Sequence, residues 1–188
     1  KRAKAAMAKT WGKAAERGQM SADEAKRRGA LVTPAERVET AGVAGADVVV
    51  EAVFEKLQVK QSIFKALDAV CKKECVLATN TSTLDVDAIG AATSRPASVC
   101  GMHFFSPAHV MPLLENVRGA RTSDEVVATA MALGRRLGKK AVLANNCFGF
   151  IGNRMLEGTS REALALLADG ASVAQIDGAM REFGYAMG

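Results

Sequence analysis

The sequence predicts an α/β fold with a mainly parallel sheet, followed by the start of an all-α domain. Three observations carry that prediction. Short, mostly apolar runs of strand length recur at 46–53, 75–79, 98–103, 111–117 and 140–145. Segments with helical spacing of apolar residues lie between most of them. After Asn145 the strand-like runs stop and only helical patterns follow, which sets a first domain over 1–145 and a second over 146–188.

The elements follow in order. Residues 1–18 read as an amphipathic helix stopped by Gly18. Ser21-Ala22-Asp23-Glu24 resembles a capping box opening a second short helix that Gly29 ends. Leu31-Val32, just before Pro34, is a candidate short strand. Residues 46–53 form a strong buried strand. Between 56 and 73, Leu57, Ile63, Phe64, Leu67 and Val70 stand at helical spacing. Residues 75–79 are the next strand, and 86–91 a short helix. Two further strands follow, near 98–103 and 111–117. Ser123 opens a helix to Leu137 with Gly138 as its stop, and 140–145 is the last strand. Residues 150–168 and 172–183 are helices, the second stopped by Gly184.

Composition excludes several classes. At 49% hydrophobic, the 188 residues can fill a core, and no apolar run approaches the roughly 20 residues of a membrane helix. The first residues are basic and helical, with no apolar core and cleavage site, so no signal peptide is expected. Cys71, Cys75, Cys100 and Cys147 lack a second Cys or His pair at zinc spacing, so no metal site is expected, and free thiols suit a reducing compartment. The net charge of +5 comes from residues 1–40, with ten Lys/Arg against five Asp/Glu; the remainder balances at fifteen each. Trp11 is the sole aromatic residue of that basic stretch, so a nucleic-acid stacking surface is not expected. An anionic small molecule, or a solvated helix face, fits better.

The most informative segment is Met102-His103-Phe104-Phe105-Ser106-Pro107, with Glu115 a dozen residues on. His103 ends an apolar run that reads as a buried parallel strand, and 111–117 is a candidate neighbour. If the two pair, Glu115 reaches His103 and raises its basicity, and a base held by an acid is the minimum unit of proton-transfer chemistry. Alone, His103 reads more readily as a hydrogen-bonded structural residue than as a base. Asn80-Thr81-Ser82-Thr83 follows a strand, at the edge where open parallel sheets bind ligands. It reads either as part of a site or as a plain polar turn. Asn153, an amide in an apolar first helical turn, is either a bridge between domains or a substrate contact. Glu55 and Lys60 stand at i, i+5, a poor helical spacing for an ion pair, and read as solvated charges or as groups facing a ligand.

Four segments in this order resemble the L-3-hydroxyacyl-CoA dehydrogenase family: Val-Val-Val-Glu-Ala-Val-Phe-Glu (48–55), Asn-Thr-Ser-Thr-Leu (80–84), Gly-Met-His-Phe-Phe-Ser-Pro-Ala-His-Val-Met (101–111) and Gly-Phe-Ile-Gly-Asn-Arg-Met (149–155). The form Asn-Cys-Phe-Gly-Phe (146–150) looks closer to the multifunctional β-oxidation enzymes, which fuse an enoyl-CoA hydratase module to the dehydrogenase. The resemblance implies an NAD-dependent oxidation of L-3-hydroxyacyl-CoA to 3-oxoacyl-CoA. It implies His103 as general base, Glu115 as its orienting partner, and Ser82 and Asn153 as hydrogen-bonding groups for the reacting oxygen. It implies that Val53, Phe54, Glu55, Lys60, Asn80 and Ser82 line the NAD site, with Ser106 near the nicotinamide.

The resemblance also implies an incomplete Rossmann-type NAD-binding domain. The 188 residues contain no G-x-G-x-x-G, and both ends look cut. The partners it implies are an acyl-CoA substrate and, in a longer protein, a fused hydratase module or a second copy, with no nucleic acid and no membrane span. The compartment is cytoplasmic for a bacterial protein and peroxisomal for a eukaryotic one. The alternatives are a non-catalytic dinucleotide-binding or structural member of the same family, and a dehydrogenase of the same superfamily acting on a small hydroxy acid.

Overall fold

A computed structural model describes residues 2–38 and 42–188. Its centre is a five-stranded sheet in the order β1 (Val48–Glu51), β2 (Val76–Thr79), β3 (Val99–Phe104), β4 (Leu113–Arg118) and β5 (Lys140–Asn145). Strands β1 to β3 run parallel, β3 and β4 antiparallel, and β4 and β5 parallel. The sheet is therefore mainly parallel, as expected, with one reversal. The connection sets that reversal. Only residues 105–112 separate β3 from β4, too few for the dozen or more residues of a parallel crossover.

Helices cover both faces of the sheet. On one face, α3 (Leu57–Val70) and α4 (Val86–Gly90) pack through Phe64, Leu67, Val86 and Ile89 onto Leu77, Val99 and Val117. On the other, α5 (Asp124–Arg136) packs through Val126 and Ala130 onto Val76, Ala78, Cys100, Met102 and Leu114. The alternation of side chains along each strand sorts these residues between the faces. His103, Glu115 and Val117 thereby share the face of α3 and α4. Gly101 permits the close β3–β4 approach: a Cβ there would lie 2.7 Å from that of Val117.

Before the sheet, α1 (Arg2–Glu16) and α2 (Ala22–Ala30) pack on each other, with Gly18 in the left-handed conformation between them. After it come α6 (Gly152–Ala168) and α7 (Val173–Phe183), the latter opened by a Ser172–Gln175 capping box.

Four expectations need correction. Leu31-Val32 is not a strand. The Leu31 and Val32 N–H groups donate to Arg28 and Gly29 carbonyls, closing off α2 rather than entering a ladder. Gly29 does not end α2, which continues to Ala30; instead Gly29 sits beneath the Trp11 ring. The capping box at Ser21 is half formed. Ser21 Oγ accepts from Glu24 N–H, but the Glu24 carboxylate turns to Arg27 and Arg28. Residues 52 and 53 are not strand, because the Glu51 carboxylate takes the Val53 N–H at 2.6 Å and turns the chain away from the sheet.

Candidate active site

Antiparallel pairing puts His103 and Glu115 directly opposite each other in the β3–β4 ladder. Side chains of such a pair lie on the same face within contact range. The Glu115 carboxylate is fully buried, and its Oε2 is 2.7 Å from His103 Nδ1. An ionised carboxylate only accepts, so in the neutral ring the proton sits on Nδ1 and Nε2 keeps its lone pair. The other carboxylate oxygen, Oε1, accepts from Ile151 N–H at 3.1 Å and Gly152 N–H at 2.7 Å. These amides open α6, where orphan N–H groups and the helix dipole favour an anion. One carboxylate thus ties the imidazole to the start of the second helical segment.

Local sequence shapes that junction. Gly149 and Phe150 both have positive φ, turning the chain from β5 into α6. Phe150 is buried, and its ring stands 5.8 Å from that of His103; the Phe105 ring stands 4.6 Å away. A Cβ on Gly152 would lie 2.8 Å from the Phe105 ring, so this position admits only glycine without displacement.

A second group lies at the carboxyl ends of β1 to β3. Asn80 N–H donates to the Glu51 carbonyl, and Asn80 Oδ1 accepts from Phe104 N–H at 2.8 Å, clamping the three strand ends together. Glu55 Oε1 gathers the next loop: it accepts from Thr81 Oγ1, from Ser82 N–H at 2.8 Å, from Ser82 Oγ at 3.2 Å and from Thr83 N–H at 3.3 Å. Burial works against ionisation of Glu55. The bonds from Thr81 and Ser82, and the Lys60 ammonium, outweigh it and hold its pKa below the ordinary carboxylate value. Asn153 Nδ2 donates to the Ser82 carbonyl at 3.3 Å, so α6 reaches this loop as well.

The structure therefore joins His103 to Glu115, Ser82 to Glu55 and Asn153, and Asn80 to the ends of β1 and β3. Val53 and Phe54 are exposed on the rim beside Glu55, Phe54 at 83%. Ser106 lies exposed in the loop after β3, three residues beyond His103.

Lys60 is not a solvated charge. It is 1% exposed, with Nζ 2.8 Å from Glu51 Oε1 and 3.2 Å from Glu55 Oε2. Sequence reasoning passed over Glu51 altogether. The signal was present: a carboxylate inside an apolar strand run, and a lysine three residues after Leu57 and four before Phe64, hence on the buried face of its helix. Both observations ask for a buried partner of opposite charge.

The thiols stand outside this arrangement. Cys100 is pushed up to about 12 by burial, and Cys75 up to about 11, mainly by burial, so neither is a thiolate near neutrality. Among the described residues, no group of three or more His, Cys, Asp or Glu side chains is placed to hold a metal ion, and no helix is long and apolar enough to cross a membrane.

Comparison with known proteins agrees with this architecture. The model of the 3-hydroxyacyl-CoA dehydrogenase NAD binding domain matches residues 1–147, and that of the C-terminal domain matches 149–188. The peroxisomal bifunctional enzyme of Danio rerio is 55% identical over 142 residues, covering 76% of this chain and 20% of the relative. The fatty acid oxidation complex subunit alpha of Psychrobacter arcticus is 38% identical over 180 residues, covering 96% of this chain and 25% of the relative. Among solved structures, 3-hydroxybutyryl-CoA dehydrogenase from Escherichia coli superposes with a TM-score of 0.92 at 36% identity, over 100% of this chain and 40% of that one. The chain spans about a fifth to a quarter of the length of these curated relatives. On the strength of the two adjoining matches, the chain belongs to the 3-hydroxyacyl-CoA dehydrogenase family, whose first domain binds NAD.

Proposed function

We propose that the protein oxidises the 3-hydroxyl of an L-3-hydroxyacyl-CoA to a ketone as a step of fatty-acid β-oxidation. The observation that carries this reading is the buried His103–Glu115 pair, which fixes one tautomer and leaves Nε2 as a base. His103 Nε2 takes the hydroxyl proton. Glu115 holds the ring and balances the imidazolium that forms, as the carboxylate of a catalytic triad does. The Ser82 hydroxyl and the Asn153 amide stabilise charge on the reacting oxygen. In the structure the Ser82 hydroxyl donates to Glu55 at 3.2 Å, a long bond that a substrate oxygen can displace.

The edge at the ends of β1 to β3 fits one end of a dinucleotide. Ionised Glu55 offers acceptors for ribose hydroxyls, and exposed Val53 and Phe54 offer apolar surface beside it. NAD, when bound, supplies the acceptor for the hydride that leaves C3. On this reading 1–145 holds the cofactor, and 146–188 contributes Asn153 from the far side of a cleft. The anionic end of a CoA ester also finds a match: Lys9 and Lys13 of α1 and Arg17 just after it line a groove with His109 and Val110 from the loop after β3. The names of the relatives support a peroxisomal setting in a eukaryote and fatty-acid oxidation in a bacterium.

The test is NADH formation from L-3-hydroxybutyryl-CoA and NAD, run on the 188 residues and on the full-length gene product. Turnover is expected from the full-length protein. The 188 residues alone, with no G-x-G-x-x-G, are expected to bind NAD weakly and turn over poorly. No turnover by folded full-length protein on CoA-linked or free hydroxy acids would support the non-catalytic alternative.

A further inference from the structure

Asn146 stands where the chain leaves the sheet for α6, and the reaction itself gives it no task. Its backbone N–H donates to the Arg118 carbonyl at the end of β4, at 3.1 Å. Its side chain crosses to the start of α4. Nδ2 donates to Asp85 Oδ1 at 2.6 Å and to Asp87 Oδ2 at 2.8 Å, while Oδ1 accepts from Val86 N–H at 3.1 Å. Both carboxylates are themselves fixed: Asp85 caps α4, and Asp87 Oδ2 also accepts from Ala120 N–H at 3.0 Å. A carboxamide fits this place because it has two N–H bonds for two carboxylates and an acceptor for one amide. Its bond to Asp85 is the leading reason that this carboxyl lies below its ordinary value, so the acceptor is ionised and the bond charge-assisted.

We propose that Asn146 is a positioning residue for the His103 imidazole, acting through the start of α6. This role rests on the functional reading above. Only residues 147–150 separate Asn146 from the two amides that hold Glu115. Those four residues form a stiff arm. Phe150 N–H returns to the Cys147 carbonyl at 3.1 Å, and Arg154 N–H returns to the Gly149 carbonyl at 3.0 Å. Phe150 has φ 49°, a conformation that a bulky residue keeps only where its surroundings impose it. Asn146 imposes it from one end of the arm; the buried Phe150 ring and the Glu115 carboxylate impose it from the other. The line of contacts is continuous. Asp85 and Asp87 hold Asn146, the arm places Ile151 and Gly152, their N–H groups hold Glu115 Oε1, and Oε2 faces His103.

Charge decides which side chain can serve here. Aspartate has the same shape but no donor, so it would set a third carboxylate against Asp85 and Asp87 and push the arm away from α4. Alanine would leave both carboxylates to water and the arm held to the sheet by backbone alone. Either change acts at a distance from every group assigned to the reaction.

The experiment uses the full-length gene product, first without cofactor or substrate. Amide hydrogen exchange is measured at Ile151 and Gly152 in wild type and Asn146→Ala, with the β3–β4 ladder as internal reference. Asn146→Ala is expected to lower protection at Ile151 and Gly152 about tenfold and leave the ladder unchanged, the size expected for losing hydrogen bonds to charged groups. With saturating substrates, kcat is expected to fall about 10- to 100-fold, as for a small misplacement of a catalytic group. The dissociation constant for NADH is expected to stay near wild type, because the Asn146 side chain bonds to the start of α4 and not to the edge at the ends of β1 to β3. A residue that only stabilised the fold would lower the melting temperature and leave kcat of the folded protein alone. Asn146→Asp is expected to be impaired as well. Asp85→Asn/Asp87→Asn/Asn146→Asp exchanges donors and acceptors across the same bonds and is expected to regain most of the wild-type kcat. Wild-type protection at Ile151 and Gly152, or wild-type kcat, in folded Asn146→Ala overturns the proposal. So does a folded triple variant no more active than Asn146→Asp, which keeps the test open if Asn146→Ala does not fold. Wild-type protein that turns over no hydroxyacyl substrate refutes the functional reading instead, and the exchange comparison still decides whether Asn146 fixes these amides.

Discussion

Gly152 N–H donates a 2.7 Å hydrogen bond to the Glu115 oxygen that does not face His103. The imidazole is therefore oriented from two directions, by the sheet that pairs His103 with Glu115 and by the helix that begins at Gly152. A change confined to the helix start should reach the imidazole without altering either partner of the His103–Glu115 pair.

Gly152→Ala makes that change. The added methyl would meet the Phe105 ring at 2.8 Å and approach Glu115 Oε1 at 3.6 Å, so α6 or Phe105 must shift. Overpacking of this kind costs about 1–3 kcal/mol, and a small misplacement of a catalytic group costs about 100-fold in rate. The expected outcome is a lowered melting temperature and a kcat reduced about 100-fold at saturating substrates. A folded variant with wild-type kcat would free His103 from any dependence on α6.

Replacing the residue proposed as base separates chemistry from binding. His103→Gln is expected to lower kcat by about 10²–10⁴-fold while leaving NADH affinity near wild type. Glu115→Gln is expected to lower kcat as well, and to destabilise the fold by about 1–3 kcal/mol, because the Ile151 and Gly152 N–H groups lose an ionised acceptor. Steady-state kinetics with parallel thermal melts checks both. Unchanged kcat in His103→Gln would end the catalytic reading.

Acid should loosen the fold at several carboxylates. Glu55, Asp68 and Asp85 all sit below their ordinary values of 4.5, 3.8 and 3.8. For Glu55 and Asp68, burial opposes the shift and is outweighed by hydrogen bonds, with Arg95 and Ser94 acting on Asp68; for Asp85 the Asn146 amide leads. A depressed carboxylate contributes stability above its unfolded pKa and loses it as pH falls through the folded value. The melting temperature should therefore hold above about pH 5 and fall progressively below about pH 4. Glu55 is more than a third exposed, so its own share is modest and screened by salt. Glu55→Gln should flatten the acid limb slightly, which a series of melts against pH will show.

Much of this site was legible because local rules were enough. Two short apolar runs joined by residues 105–112 can pair only as a hairpin, and that pairing brings Glu115 to His103. Ser123, Ser172, Gly138 and Gly184 mark helix ends through their own side chains or backbone freedom. What escaped depends on distant partners. Glu55 and Lys60 looked solvated because helix spacing forbids their pairing along one helix, yet Glu55 precedes α3 and the loop folds it back. Glu51 gained meaning only once Thr79 and Lys60 stood beside it. Leu31-Val32 failed as a strand because its N–H groups close the last turn of α2, which apolar character alone does not reveal.

The basic surface of α1 gives the last prediction. Lys9, Lys13 and Arg17 face the loop that carries His109 and Val110, a few residues beyond His103. On the proposed reading a CoA ester would bring phosphate charge to that side, whereas the reacting carbon needs none of it. Lys9→Glu/Lys13→Glu should therefore raise KM for an acyl-CoA about tenfold and leave kcat nearly unchanged, since exposed charges contribute up to about 1 kcal/mol each. The difference from wild type should shrink as salt rises, because these side chains lie at the surface where screening is strong. A 3-hydroxyacyl thioester lacking the nucleotide end should not distinguish the two proteins. If it does, the substitutions act on the fold of the α1–α2 pair rather than on the substrate's charge.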